Sequence, residues 1–99
     1  KQLKTEKNCD LVICLSHLGY SYEFDKVSDL TLAAKTKDID LIIGGHTHTF
    51  LPKPVIAKNA AGKNVLINQV GWAGINLGRI DFFFDDEGNI NSEGATISV

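Results

Sequence analysis

Two unbroken apolar runs of strand length, Asp10-Leu11-Val12-Ile13-Cys14-Leu15-Ser16 and Asp40-Leu41-Ile42-Ile43-Gly44, flank a segment with helical spacing, and this constrains the fold more than any other feature. A run that is apolar at successive positions, without alternation, predicts a strand covered on both faces, as in parallel sheets. Between the runs, Ser28 is placed to cap a helix whose apolar positions Leu30, Ala33 and Ala34 share one side and which ends near Lys35 to Asp38. The result is a β-α-β unit with a parallel pair and a right-handed crossover. Open α/β folds gather ligands at the carboxyl ends of parallel strands, so whatever follows the two runs is of first interest.

The remainder of the chain changes character. Residues 19–26 form a loop carrying Tyr20, Tyr22 and Phe24. Beyond Pro52 and Pro54, Val55-Ile56-Ala57 and Asn64-Val65-Leu66-Ile67-Asn68 flank the turn Asn59-Ala60-Ala61-Gly62. Ile75 to Asp85 can pair with Ile90 to Val99 around Asp86-Glu87-Gly88-Asn89. The C-terminal half therefore reads as antiparallel sheet. In its long strand the apolar positions Ile75 and Leu77 are out of step with Ile80, Phe82 and Phe84, and a bulge at Gly78-Arg79 is expected to restore register.

With 99 residues the chain has room for one folded unit or part of one. Its 43% apolar and 22% charged content is that of a globular protein, and a net charge of −2 with scattered lysines gives no footprint for nucleic acid. The longest apolar run is far short of the ~20 residues of a membrane-spanning helix, so no membrane segment is expected. Cys9 and Cys14 would lie roughly 16 Å apart along one strand, out of disulfide reach, and are expected to be reduced. The chain has no methionine and opens with Lys1-Gln2-Leu3-Lys4, which reads as the end of a helix, so it is expected to start inside a domain.

All three histidines follow the apolar runs: His17 in Ser16-His17-Leu18-Gly19, and His46 and His48 in Gly44-Gly45-His46-Thr47-His48. In an extended segment residues i and i+2 face one side about 6.5 to 7 Å apart, so His46 and His48 are expected to converge. One histidine on each of two metals about 3.5 to 4 Å apart fits that spacing; chelation of one ion by both is tighter. The two glycines are expected to serve a sharp turn and leave room for metal and substrate, with Thr47 facing away. Three histidines do not complete a dinuclear site, and Asp25, Asp29 and Asp40 read as loop, cap-region and strand-start residues. Asn68 and Gln69 end a strand near the site and could orient a histidine. Trp72, between Gly71 and Ala73-Gly74, is expected to pack on its own sheet.

These motifs carry a resemblance. Cys9 to Gly19, Ile39 to His48, and Asn68-Gln69-Val70-Gly71-Trp72-Ala73-Gly74 with Leu77-Gly78 look like the C-terminal half of the calcineurin-like metallophosphoesterase domain of the 5′-nucleotidase and UDP-sugar hydrolase family. The resemblance implies that residues 1–99 are the later portion of an αββα two-sheet sandwich. It implies a 5′-nucleotidase-like enzyme hydrolysing nucleotides at two divalent ions, whether manganese, zinc or iron. His17 and His46 would then ligate one metal together with an asparagine, and His48 the other, where some members carry glutamine.

The family's aspartate-x-histidine motif, bridging aspartate and asparagine-histidine pair are not found in this sequence. The chain alone is therefore expected to be inactive, its partners being a phosphoester substrate and the missing N-terminal half of the domain; the nucleoside-reading domain would also lie outside it. Family members are often exported to the periplasm, cell surface or medium. Other readings are a related dinuclear hydrolase of nucleotide sugars, cyclic nucleotides or sulfur esters, or a non-enzymatic α/β metal-binding module.

Overall fold

The computed structural model describes residues 1–99 as a mixed α/β arrangement with two sheets. A short helix α1 (Gln2–Thr5) leads into β1 (Ile13–Leu15), helix α2 (Asp29–Lys35) and β2 (Leu41–Ile43). β3 (Val55–Lys58) and β4 (Asn64–Asn68) form a hairpin, as do β5 (Asn76–Phe84) and β6 (Ile90–Ser98). The first sheet has the order β1-β2-β4-β3, and β5-β6 is a separate two-stranded ribbon. No helix is long and apolar enough to cross a membrane.

The β-α-β unit forms as its pattern predicts. β1 and β2 are parallel, with Ile13 opposite Leu41 and Leu15 opposite Ile43. Ser28 caps α2 through a capping box: its hydroxyl accepts from the Thr31 N–H, and the Thr31 hydroxyl accepts from the Ser28 N–H. Ala33 is buried against Ile42, Val65 and Ile67, the core of the chain, whereas Ala34 is exposed.

Three expectations are corrected. β1 is not a central strand covered on both faces: it is a three-residue edge strand, with Ile13 48% and Leu15 81% exposed. Only its Cys14 side meets the core beneath α2, and nothing in this chain pairs with its outer edge. The C-terminal half is not purely antiparallel, because β4 also pairs in parallel with β2, with Ile42 opposite Ile67. The expected bulge is absent; β5 and β6 keep one register from Asn76–Ser98 to Phe84–Ile90. The apolar residues of β5 occupy both faces of the ribbon. Ile80 and Phe82 look into a cleft of about 380 Å³ shared with Leu11, Ile13, Leu41 and Ile43, while Leu77 and Phe83 face outward.

Both cysteines are free and half-buried. In the loop after β1, the Tyr22 hydroxyl donates to the Leu18 carbonyl, and the Tyr22 ring lies under the Lys26 ammonium, 4.5 Å from its centroid. That loop closes on itself around its aromatic residues.

Candidate functional site

Three strands, β1, β2 and β4, run in one direction, so their carboxyl ends open at one edge of the sheet. The ladder continues one step past the strands: the Ser16 N–H donates to the Ile43 carbonyl and the Gly44 N–H to the Asn68 carbonyl, each at 2.9 Å. His17, Gly45-His46 and Gln69 therefore emerge side by side. The third contributor, β4, is expected to end near the site at Asn68 and Gln69, but its parallel pairing with β2 is not expected from its hairpin pattern. Its signal is the unbroken run Val65-Leu66-Ile67, which marks a strand covered on both faces.

His17 and His46 come together across this edge. Nε2 of His17 and Nδ1 of His46 are 3.3 Å apart, and the rings meet edge to face with centroids 5.0 Å apart. Two nitrogens that each sit about 2.1 Å from one ion at a near-tetrahedral angle are separated by about 3.4 Å. The pair thus has the spacing of two ligands on a single ion, and both rings are exposed to solvent. No third histidine, cysteine or carboxylate clusters with them.

His48 lies apart from this pair, and the expected convergence of His46 and His48 is corrected. That expectation required an extended segment, but His46 and His48 both have positive φ, 74° and 53°, so the chain coils between them. The His48 ring stacks on Trp72, with centroids 5.9 Å apart and planes 15° from parallel. Trp72, 59% exposed, is therefore not simply packed on its own sheet.

The two glycines also act differently from expectation. The left-handed turns fall on the histidines; neither Gly44 nor Gly45 has positive φ. What the glycines provide is space already filled by other groups of the chain. A Cβ on Gly45 would stand 3.0 Å from Nδ1 of His17, and one on Gly44 would overlap Oδ2 of Asp29.

Gln69 holds the histidine loop. Its Nε2 donates to the Gly45 carbonyl at 3.0 Å, and its Oε1 accepts from the Thr49 N–H and the Thr47 hydroxyl. The amide thus spans His46-Thr47-His48 from both sides and touches no histidine, so it orients the backbone and not a ring. Thr47 faces inward, where its hydroxyl accepts from the Tyr20 N–H at 3.0 Å and shares a hydrogen bond with Thr49. An isolated pairing of Phe50 with Val70, flanked by the Leu51–Gln69 and Gly71–Thr49 backbone hydrogen bonds, ties the loop's end to the residues after β4.

Asp29, the first residue of α2, is fully buried under this edge, which its reading as a cap-region residue does not reveal. Its Oδ1 accepts from the Ser16 hydroxyl at 2.5 Å, and its Oδ2 has no hydrogen-bond partner. Burial pushes its carboxyl above the ordinary carboxylate range, while the Ser16 hydrogen bond pulls the other way. Asn68, also buried, sets its Nδ2 against Gly78 and leaves its Oδ1 unpartnered.

No protein-family model matches the chain. It is 36% identical over 99 residues to the trifunctional nucleotide phosphoesterase protein YfkN of Bacillus subtilis, a match that covers all of this chain and 6% of the relative. It is 34% identical over 105 residues to an apyrase of Tabanus yao, covering 91% of this chain and 18% of the relative. Among solved structures, the 5′-nucleotidase precursor of Thermus thermophilus superposes with a TM-score of 0.81 at 30% identity, over 96% of this chain and 20% of that one. The chain therefore spans a fifth or less of the length of these proteins.

Proposed function

We propose that this chain, which resembles one segment of 5′-nucleotidase-type phosphoesterases over its whole length, supplies histidine ligands to a dinuclear metal site that hydrolyses nucleotides. The observation that carries this reading is the 3.3 Å approach of His17 Nε2 and His46 Nδ1, a spacing suited to two ligands on one ion. His17 and His46 would hold one divalent ion, manganese, zinc or iron, and His48 would hold a second after leaving its stack on Trp72. Such ions, when bound, polarise a phosphoryl group and lower the pKa of bound water.

Residues of this chain bind and orient. Each ligand ring must present a free nitrogen lone pair to its ion. Gln69 and Thr47 fix the backbone turn that carries two of the three rings. Two imidazoles leave an ion short of ligands, and the carboxylates that would bridge and complete the pair are proposed to come from outside residues 1–99, in a preceding half of the same catalytic domain. By the same reasoning this chain alone is inactive. A nucleotide phosphoester is favoured as substrate over a nucleotide sugar by the Bacillus relative, whose name is that of a nucleotide phosphoesterase. Export to the periplasm, cell surface or medium is part of the proposal.

The test is His46→Ala and His48→Ala in the intact protein, measuring bound metal and hydrolysis of a nucleoside 5′-monophosphate. Loss of one equivalent of metal with a fall in turnover of at least a hundredfold is expected. Unchanged metal content and turnover in both variants would refute the ligand assignment.

A further inference from the structure

We propose that Asp29 is a positioning residue that sets the separation of His17 and His46. The inference rests on the reading of that pair as metal ligands and adds a residue not itself a ligand. Asp29 reaches both strand ends from beneath. Its Oδ1 holds the hydroxyl of Ser16, the residue before His17, and its Oδ2 lies against the α-carbon of Gly44, two residues before His46, where a side chain would overlap it. Its own N–H donates to the Gly19 carbonyl at 2.8 Å, so the start of α2 is also fastened to the loop that leaves His17.

A buried carboxyl group with one oxygen unpartnered is costly to retain for stability alone, because an apolar side chain would fill the volume without the desolvation penalty. Here the carboxyl is wedged between the ends of β1 and β2, and its width sets how closely Ser16-His17 and Gly44-Gly45-His46 approach. Gly45 closes the same gap from above, its α-carbon against the His17 ring. A change of a few tenths of an ångström at this wedge passes directly to two nitrogens that must sit about 3.4 Å apart on one ion.

The experiment uses the intact protein, with zinc affinity measured by chelator competition, kcat and KM measured on a nucleoside 5′-monophosphate at saturating zinc, and thermal midpoints. Asp29→Ala is expected to weaken zinc by about 10- to 100-fold with KM unchanged. Asp29→Asn, whose amide oxygen still accepts from Ser16 in the same volume, should stay within about threefold of wild type. Gly44→Ala should weaken zinc like Asp29→Ala, because its methyl collides with Oδ2. The Asp29→Ala, Gly44→Ala double variant should lose less than the two single losses combined, since the new methyl then enters the vacated space.

In the metal-free protein, the imidazole nitrogen resonances of His17 and His46 should shift in Asp29→Ala and stay in place in Asp29→Asn. A folded Asp29→Ala with wild-type zinc affinity and only a lowered thermal midpoint would overturn the proposal, as would strictly additive losses in the double variant. If Asp29→Ala does not fold, wild-type zinc affinity in Gly44→Ala overturns it equally. His46→Ala distinguishes the two levels: retained zinc there refutes the metal reading, whereas zinc lost in His46→Ala and retained in Asp29→Ala refutes only the role of Asp29.

Discussion

Replacing Gln69 with methionine keeps the length and volume of a side chain that is 2% exposed and removes its amide. Three hydrogen bonds vanish, those with the Gly45 carbonyl, the Thr49 N–H and the Thr47 hydroxyl. At roughly 1 kcal/mol net for each, the loss is about 3 kcal/mol. Positive φ at His46 and His48 costs of order 1–3 kcal/mol at each residue, so the amide offsets much of the strain it spans. Without it the turn should relax toward extended backbone. The readout is local: the Thr49 amide, which donates to Oε1, should exchange with solvent about 100-fold faster, since each 1.4 kcal/mol corresponds to tenfold. Gln69→Glu keeps that acceptor but sets an oxygen against the Gly45 carbonyl, so it should retain Thr49 protection while still disturbing the turn. Acceleration of less than about fivefold in Gln69→Met would show that the loop is held by something other than Gln69, and the assignment of this residue as its staple would be wrong.

Ser28→Ala removes the hydroxyl that accepts from the Thr31 N–H while its backbone N–H still donates to the Thr31 hydroxyl, and should lower the stability of the unit by about 1 kcal/mol in urea unfolding. Asp85 organises the β5–β6 turn by accepting from the Asn89 side chain and from the N–H groups of Asn89 and Glu87, which hold its carboxyl below the ordinary 3.8. A lowered folded-state pKa stabilises above 3.8 and is lost as pH falls through the lower value. Turn resonances followed below pH 3.8 should therefore show loosening that Asp85→Asn, already neutral, does not. The chain in isolation should self-associate through the exposed Ile13 and Leu15 of the open β1 edge, and Leu15→Lys should shift sedimentation toward monomer; a wild-type chain that is monomeric at high concentration would contradict this.

The parts of the fold legible in the sequence are those fixed by near neighbours. The Ser28 cap, the Asn59–Gly62 turn and the Asp85–Asn89 turn each rest on hydrogen bonds within five residues of chain. The parallel pairing of β4 is hidden because its hairpin with β3 explains it locally, and the partner β2 lies more than twenty residues away. The supposed bulge in β5 has the same origin. Alternation suggests one buried face, whereas a two-stranded ribbon carries apolar residues on both, Ile80 toward the cleft and Leu77 outward.

At the site, residue type is more legible than geometry. Histidines after parallel strands are expected to gather at one sheet edge, but the pair that meets there is His17 with His46, 29 positions apart, and not the neighbours His46 and His48. Spacing could not show this, because i and i+2 converge only if the backbone is extended, and here a buried glutamine stabilises a coiled turn. Gly44 misleads for a related reason. A glycine beside a turn suggests conformational freedom, yet its requirement is steric and comes from Asp29, fifteen residues earlier in the chain. Asp29 in turn has a sufficient local explanation as the first residue of a helix. Each residue looks ordinary among its neighbours in sequence, and only the contact between them carries information about the site. Paired substitutions such as Asp29→Ala with Gly44→Ala are therefore more diagnostic of this edge than either change alone.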